Sequence, residues 1–148
     1  ADRAALERSD FAAFRSLADA PWAMTAHVLY TSLDRERPAT TSPRVIDEVI
    51  RGHIGFGGVL VSDDLSMKAL DGGLGERARA ALDAGCDLAL HCTGVLEEMK
   101  DIAAASRPMS AAAARRVRDA AKRKNETKAG SDRRSSLDKL NELLGVNS

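Results

Sequence analysis

Val59-Leu60-Val61-Ser62-Asp63-Asp64-Leu65-Ser66-Met67 starts as an unbroken apolar run that leads through Ser62 to two adjacent acids. A short, continuous apolar strand has both faces buried, as in a parallel sheet. A strand that stops in carboxylates puts charge at its C-terminal end, which is the catalytic end of parallel α/β barrels. Side chains alternate along a strand, so Asp63 shares a face with Val59 and Val61. If that face lines a barrel, Asp63 points into its mouth. A second explanation stays open here: Asp63 or Asp64 caps the helix that follows.

Outward from this segment, the chain reads as repeated strand and helix. Residues 2–19 are expected to be helical, with Phe11, Phe14, Leu17 and Ala18 three or four apart and Pro21 ending the segment. Residues 22–30 are mostly apolar and read as a strand. A polar loop with Pro38 follows, and Ser42-Pro43 is a helix start, Ser as N-cap and Pro at the first helical position. That helix carries Val45, Ile46, Val49 and Ile50 on one side. After the 59–63 strand, a helical stretch is expected over residues 66–84, interrupted at Gly72-Gly73, with Gly85 as its C-cap. Residues 86–92 read as the third strand. Gly94 opens a helix through Ala105, Pro108 ends it, and Ser110 caps an alanine-rich helix to about Lys124. The order β-α-β-α-β-α with short connections means α/β, with parallel strands. Residues 125–134 turn polar and read as a linker, and Leu137, Leu140 and Leu144 stripe a short final helix.

Composition narrows the function classes. With 22 basic and 22 acidic residues the formal net charge is zero, and no nucleic-acid partner is expected. The basic end of the alanine-rich helix, including Arg115, Arg116, Arg118 and Arg123, lacks interleaved aromatics and reads as a solvated face. No apolar run is long enough for a membrane span, and the first eight residues carry no signal-peptide pattern. Cys86 and Cys92 on one strand would lie about 20 Å apart, too far for a disulfide, so a cytoplasmic setting is expected. Asp71-Gly72-Gly73-Leu74-Gly75 lacks the Lys and Ser/Thr of a phosphate loop. His27, His53 and His91 are dispersed without metal-ligand spacing, so no metal is expected. His27 and His91 are each either a structural hydrogen-bonding residue or a site residue, and His53 reads as a surface cap.

Several ordered segments resemble one family. They are Ala23-Met24-Thr25-Ala26-His27-Val28-Leu29-Tyr30, Arg37-Pro38-Ala39-Thr40, Val49-Ile50-Arg51-Gly52, Ile54-Gly55-Phe56, Val61 through Leu70, and Ala84-Gly85-Cys86-Asp87-Leu88. Together they resemble the C-terminal part of bacterial β-N-acetylhexosaminidases of glycoside hydrolase family 3, the peptidoglycan-recycling type. The resemblance implies a (β/α)₈ TIM barrel, of which residues 1–124 would be about strands 6–8 with their helices. Residues 125–148 would be a linker and helical tail outside it. It further implies retaining hydrolysis of terminal β-linked N-acetylglucosamine from muropeptides in the cytoplasm, without a cofactor. Asp63 would be the nucleophile, Asp64 a support residue, and His27 and Met67 would line the sugar site.

The family's general acid/base is a His–Asp pair on an upstream loop, and no Lys-His-Phe-Pro-Gly-His segment occurs in residues 1–148. A whole barrel takes about 250 residues. The isolated chain is therefore expected to be inactive. Its alternative roles are a catalytically incompetent remnant, a structural or interaction module, or one half of a split enzyme whose partner is a complementary N-terminal barrel half.

Overall fold

The computed structural model describes residues 2–130, with the side chains of 124–130 left aside. Three parallel strands form one sheet in the order β1-β2-β3: β1 (Trp22–Met24), β2 (Val59–Asp64) and β3 (Leu88–Leu90). Around them lie α1 (Arg3–Arg8), α2 (Asp10–Arg15), a π-helix (Val45–His53), α3 (Leu74–Ala84), α4 (Leu96–Ala105) and α5 (Ala111–Gly130). The α/β architecture and the sequential parallel strands follow the sequence reading. Among the described residues, no helix is long and apolar enough to cross a membrane.

The core shows why β2 is central. Leu60 packs into a buried cluster with Ile46 of the π-helix, Ala78, Ala81 and Ala84 of α3, and Phe56, Leu65, Leu70 and Cys86. Val59 and Val61 then alternate away from that helix layer. A second cluster joins Leu6, Phe11, Leu33, Ala39, Val45 and Val49, tying the N-terminal helices to the π-helix.

At the N-terminal edge of the sheet, Asp87 anchors two guanidinium groups. Its side chain is 4% exposed and pairs with Arg51 at 2.9 Å and Arg116 at 2.8 Å. It also accepts the Leu60 N–H at 3.0 Å. Arg51 additionally donates to the Phe56 and Gly58 carbonyls and lies over the Phe56 ring. One carboxylate thus ties α5, the π-helix and β2 together.

Several boundaries differ from the sequence expectation, each for a local reason. The helix over 2–19 is two helices broken at Ser9. The Ser9 hydroxyl donates back to the Ala5 carbonyl, a bond that competes with helix continuation. Phe11 is buried, but Phe14 and Leu17 are exposed. The strand over 22–30 stops at Met24, with one further sheet bond from Thr25 N–H to the Val61 carbonyl. The 66–84 helix begins only at Leu74. Ahead of it Gly72 has φ +83°, and Arg77 reaches back to the Gly72, Leu65 and Met67 carbonyls, holding 65–72 as a non-helical loop. The strand over 86–92 is Leu88–Leu90, and the α4 helix starts at Leu96. The last helix extends to Gly130 rather than about Lys124, so the start of the expected linker is helical. The final Leu137–Leu140–Leu144 helix lies outside the described residues.

The caps hold as expected at Ser42, whose hydroxyl accepts from Val45 N–H at 3.1 Å, and at Ser110, which accepts from Ala113 N–H at 3.1 Å. Gly85 ends α3 at φ +116°, and a Cβ there would meet Ile46 Cγ2 at 3.0 Å. Gly85→Ala is expected to destabilise the fold by about 1–3 kcal/mol, read as a lower urea midpoint at unchanged slope.

Candidate active site

Because the strands are parallel, residues from all three meet at one edge. Thr25 and His27 follow β1, Asp63 and Asp64 end β2, and His91 and Cys92 follow β3.

Asp63 emerges at an irregularity in the ladder. Val61 pairs with Leu88 and Asp64 with Leu90, so β2 spends three steps where β3 spends two. This is a bulge, a device that re-aims side chains. Ser62 covers the interrupted ladder: its fully buried hydroxyl accepts the Leu90 N–H at 2.9 Å and donates to the Asp63 carbonyl at 2.8 Å. Half-buried Asp63 has one carboxylate oxygen, Oδ1, held by the Asp64 N–H at 2.9 Å. Among the described residues, Oδ2 accepts no hydrogen bond.

Asp64 has a different task. Oδ1 takes the Ser66 N–H at 3.0 Å and Oδ2 the Ser66 hydroxyl at 2.6 Å. The Ser66 hydroxyl, then the Ser66 N–H, hold its pKa below the ordinary carboxylate value, with Cys92 adding to the effect. Its carboxylate is spent on the loop, and it supports the turn rather than a helix start.

His27 is held at both ring nitrogens: Nδ1 lies 2.8 Å from Thr40 Oγ1 and Nε2 lies 3.0 Å from the Asp64 carbonyl. That carbonyl also accepts the Met67 N–H at 3.2 Å. The Met67 side chain is exposed on the same loop. His91 meets Glu98 at 3.0 Å and Thr93 at 2.8 Å, while its Nδ1 is buried without a partner. His53 is not the expected surface cap. Its side chain is 20% exposed, its ring packs edge-on to Phe11, and Nδ1 faces Glu7 at 3.8 Å.

Three residues central to this edge carry no signal in the local pattern. Buried Thr25 and Thr40 sit 2.9 Å apart, and Asp63 N–H donates to Thr25 Oγ1 at 3.2 Å. Arg77 fixes the loop from α3. Only the placement of both threonines inside family-like segments marks them in the sequence. Among the described residues, no three His, Cys, Asp or Glu side chains gather where they could hold a metal ion.

Both cysteines are free. Burial pushes the Cys86 thiol up to about 12, so it stays protonated and inert. Exposed Cys92 is also raised, first by partial desolvation and then by the Asp64 and Asp63 carboxylates. Iodoacetamide is expected to label Cys92 alone in the folded protein, slowly at neutral pH and faster as alkali generates thiolate. Peptide mapping that finds Cys86 labelled at a comparable rate would contradict this.

A profile described as the Glycosyl hydrolase family 3 N terminal domain matches residues 1–124. The chain belongs to glycosyl hydrolase family 3. The match is to the family's N-terminal domain, which corrects the expectation of a C-terminal part of the whole protein. Among its relatives, a curated beta-hexosaminidase of Alkalilimnicola ehrlichii is 50% identical over 94 residues, 61% of this chain and 27% of that protein. A family 3 beta-N-acetylglucosaminidase from Paenibacillus sp. str. FPU-7 superposes with TM-score 0.71 at 33% identity, covering 88% of this chain and 27% of the other. NagZ from Neisseria gonorrhoeae, solved in complex with zinc ion, gives TM-score 0.69 at 33% identity over 81% of this chain and 35% of its own. The chain thus spans about a quarter of the curated relatives it matches.

Proposed function

We propose that residues 1–124 are the last three βα units of a family 3 N-terminal barrel domain, and that residues 125–148 lie outside it. The protein carrying them is a retaining β-N-acetylhexosaminidase that removes terminal non-reducing β-linked N-acetylglucosamine. Three sequential parallel strands with their chemistry at one edge support the barrel placement. The relatives' beta-hexosaminidase and beta-N-acetylglucosaminidase activities support the reaction.

The observation that carries the mechanism is the Asp63 carboxylate, tethered at Oδ1 with Oδ2 left free. Oδ2 attacks the anomeric carbon, the C1–O bond of the leaving sugar breaks, and a glycosyl ester forms on Asp63. The leaving oxygen takes its proton from an acid/base group outside residues 1–148. Water deprotonated by that group then attacks C1, releasing N-acetylglucosamine and regenerating the carboxylate. Met67 lines the sugar site from the loop. His27, its nitrogens already engaged, offers the sugar its ring face.

The natural substrates are muropeptides carrying N-acetylglucosamine, handled in the cytoplasm, and a complementary N-terminal barrel half completes the site. Without that half, loss of acid/base help alone costs about 10²–10⁴ in rate. Purified residues 1–148 are therefore silent by themselves.

The test is covalent trapping in the full-length enzyme. A fluorinated N-acetylglucosaminyl fluoride slows both steps by destabilising the oxocarbenium-like transition state, while its good leaving group lets the ester form. An adduct mapped by mass spectrometry to Asp63 is the expected result, and an adduct on another carboxylate would refute the assignment.

A further inference from the structure

The hydrogen bonds around Asp63 run in one direction. The Asp64 carbonyl can only accept, so His27 Nε2 carries the proton at 3.0 Å. A neutral ring then accepts at Nδ1, so the Thr40 hydroxyl donates at 2.8 Å. With its hydrogen directed at His27, Thr40 Oγ1 accepts from Thr25 Oγ1 at 2.9 Å. Thr25 Oγ1 in turn accepts the Asp63 N–H at 3.2 Å. The circuit leaves β2 at the amide of Asp63 and returns to it at the carbonyl of Asp64. Both threonines are buried, so water does not compete for the bond between their hydroxyls.

We infer that Thr25, Thr40 and neutral His27 form a positioning relay that grips the Asp63–Asp64 dipeptide at both ends and fixes the angle of the Asp63 carboxylate. The inference rests on Asp63 being the nucleophile. A bulged strand end lacks a regular ladder to set that angle, and the relay supplies it. Thr40 comes from the short 3₁₀ turn Ala39–Thr41, which gives that distant loop a function at the site. None of the three relay side chains needs to touch the reacting atoms. Positioning at this level governs rate, since misplacement by about 1 Å can cost on the order of 10²-fold.

Thr40→Val and Thr40→Ser separate a relay from simple packing. Valine keeps the volume and loses the hydroxyl, whereas serine keeps the hydroxyl and loses a methyl group. In the full-length enzyme, Thr40→Val is expected to lower kcat about 10–100-fold with KM within about threefold. Thr40→Ser should recover most of that loss. If serine is as damaging as valine or worse, Thr40 serves packing and the relay is wrong. Nitrogen-15 NMR of His27 supplies a readout independent of activity, with the proton expected on Nε2 and an accepting Nδ1. Finding the Nδ1–H tautomer overturns the relay whatever Asp63 does. An Asp63→Asn enzyme with wild-type kcat overturns the nucleophile assignment instead, and the relay's effect on rate with it.

Discussion

Asp63→Asn in the full-length enzyme is expected to lower kcat on an aryl N-acetyl-β-glucosaminide by about 10³-fold or more, which is at least ~4 kcal/mol of transition-state stabilisation. The amide keeps the shape of the carboxylate and can still be anchored by the Asp64 N–H that holds Oδ1. What it loses is the negative charge facing a developing oxocarbenium ion and the oxygen that bonds to C1. KM should change little, because the interaction forms as the reaction proceeds. Asp63→Ala adds a diagnostic gap: exogenous azide in that space should restore turnover and give the α-glycosyl azide, the inverted product of a direct displacement. Steady-state assay with product stereochemistry by NMR checks both. A rate within tenfold of wild type for Asp63→Asn would remove Asp63 from the mechanism.

The second large effect lies at the opposite edge of the sheet and concerns folding. Asp87→Ala should destabilise the protein by about 3–5 kcal/mol, because it strands two guanidinium groups that share one buried carboxylate. The Leu60 N–H on the central strand loses its acceptor as well. A midpoint lower by on the order of 10 °C in a thermal melt is the expected reading. Asp87→Asn keeps the size and one acceptor oxygen, so it should fall between the two. If Asp87→Ala melts within about 2 °C of wild type, the ion cluster does not hold the sheet together.

These two aspartates show what the sequence could and could not reveal. β2 was legible because a strand buried on both faces must be apolar without interruption, and Val59-Leu60-Val61 is. Its neighbours were read too long because apolar residues continue past the last ladder bond. Val28 and Leu29 look like strand yet are exposed after β1 ends. Residues 66–72 look helical in composition, but Asp64 takes the Ser66 N–H and Arg77 binds the Met67 and Gly72 carbonyls, which holds them as a loop. The pattern contains no record of that competition, since Arg77 acts from the next helix. Asp63 was legible as an acid ending a buried strand, with its role supplied by family resemblance. The relay was not legible, because Thr25 and Thr40 are 15 residues apart and only the folded chain brings their hydroxyls together. Asp87 appeared as one polar residue before an apolar triplet, and nothing near it announces two distant arginine partners.

The bulge at Ser62–Asp63 makes the candidate site a matter of counting. Three residues of β2 run beside two of β3, and a serine hydroxyl fills the place of the missing backbone bond. A deletion of one residue between Val61 and Asp64 would even out the ladder and carry the acid to the wrong side of the pleat. A substitution at the same place would leave the count intact. Spacing along this segment is therefore as much a part of the site as the identity of Asp63, and removing one residue should cost activity as surely as removing the carboxylate.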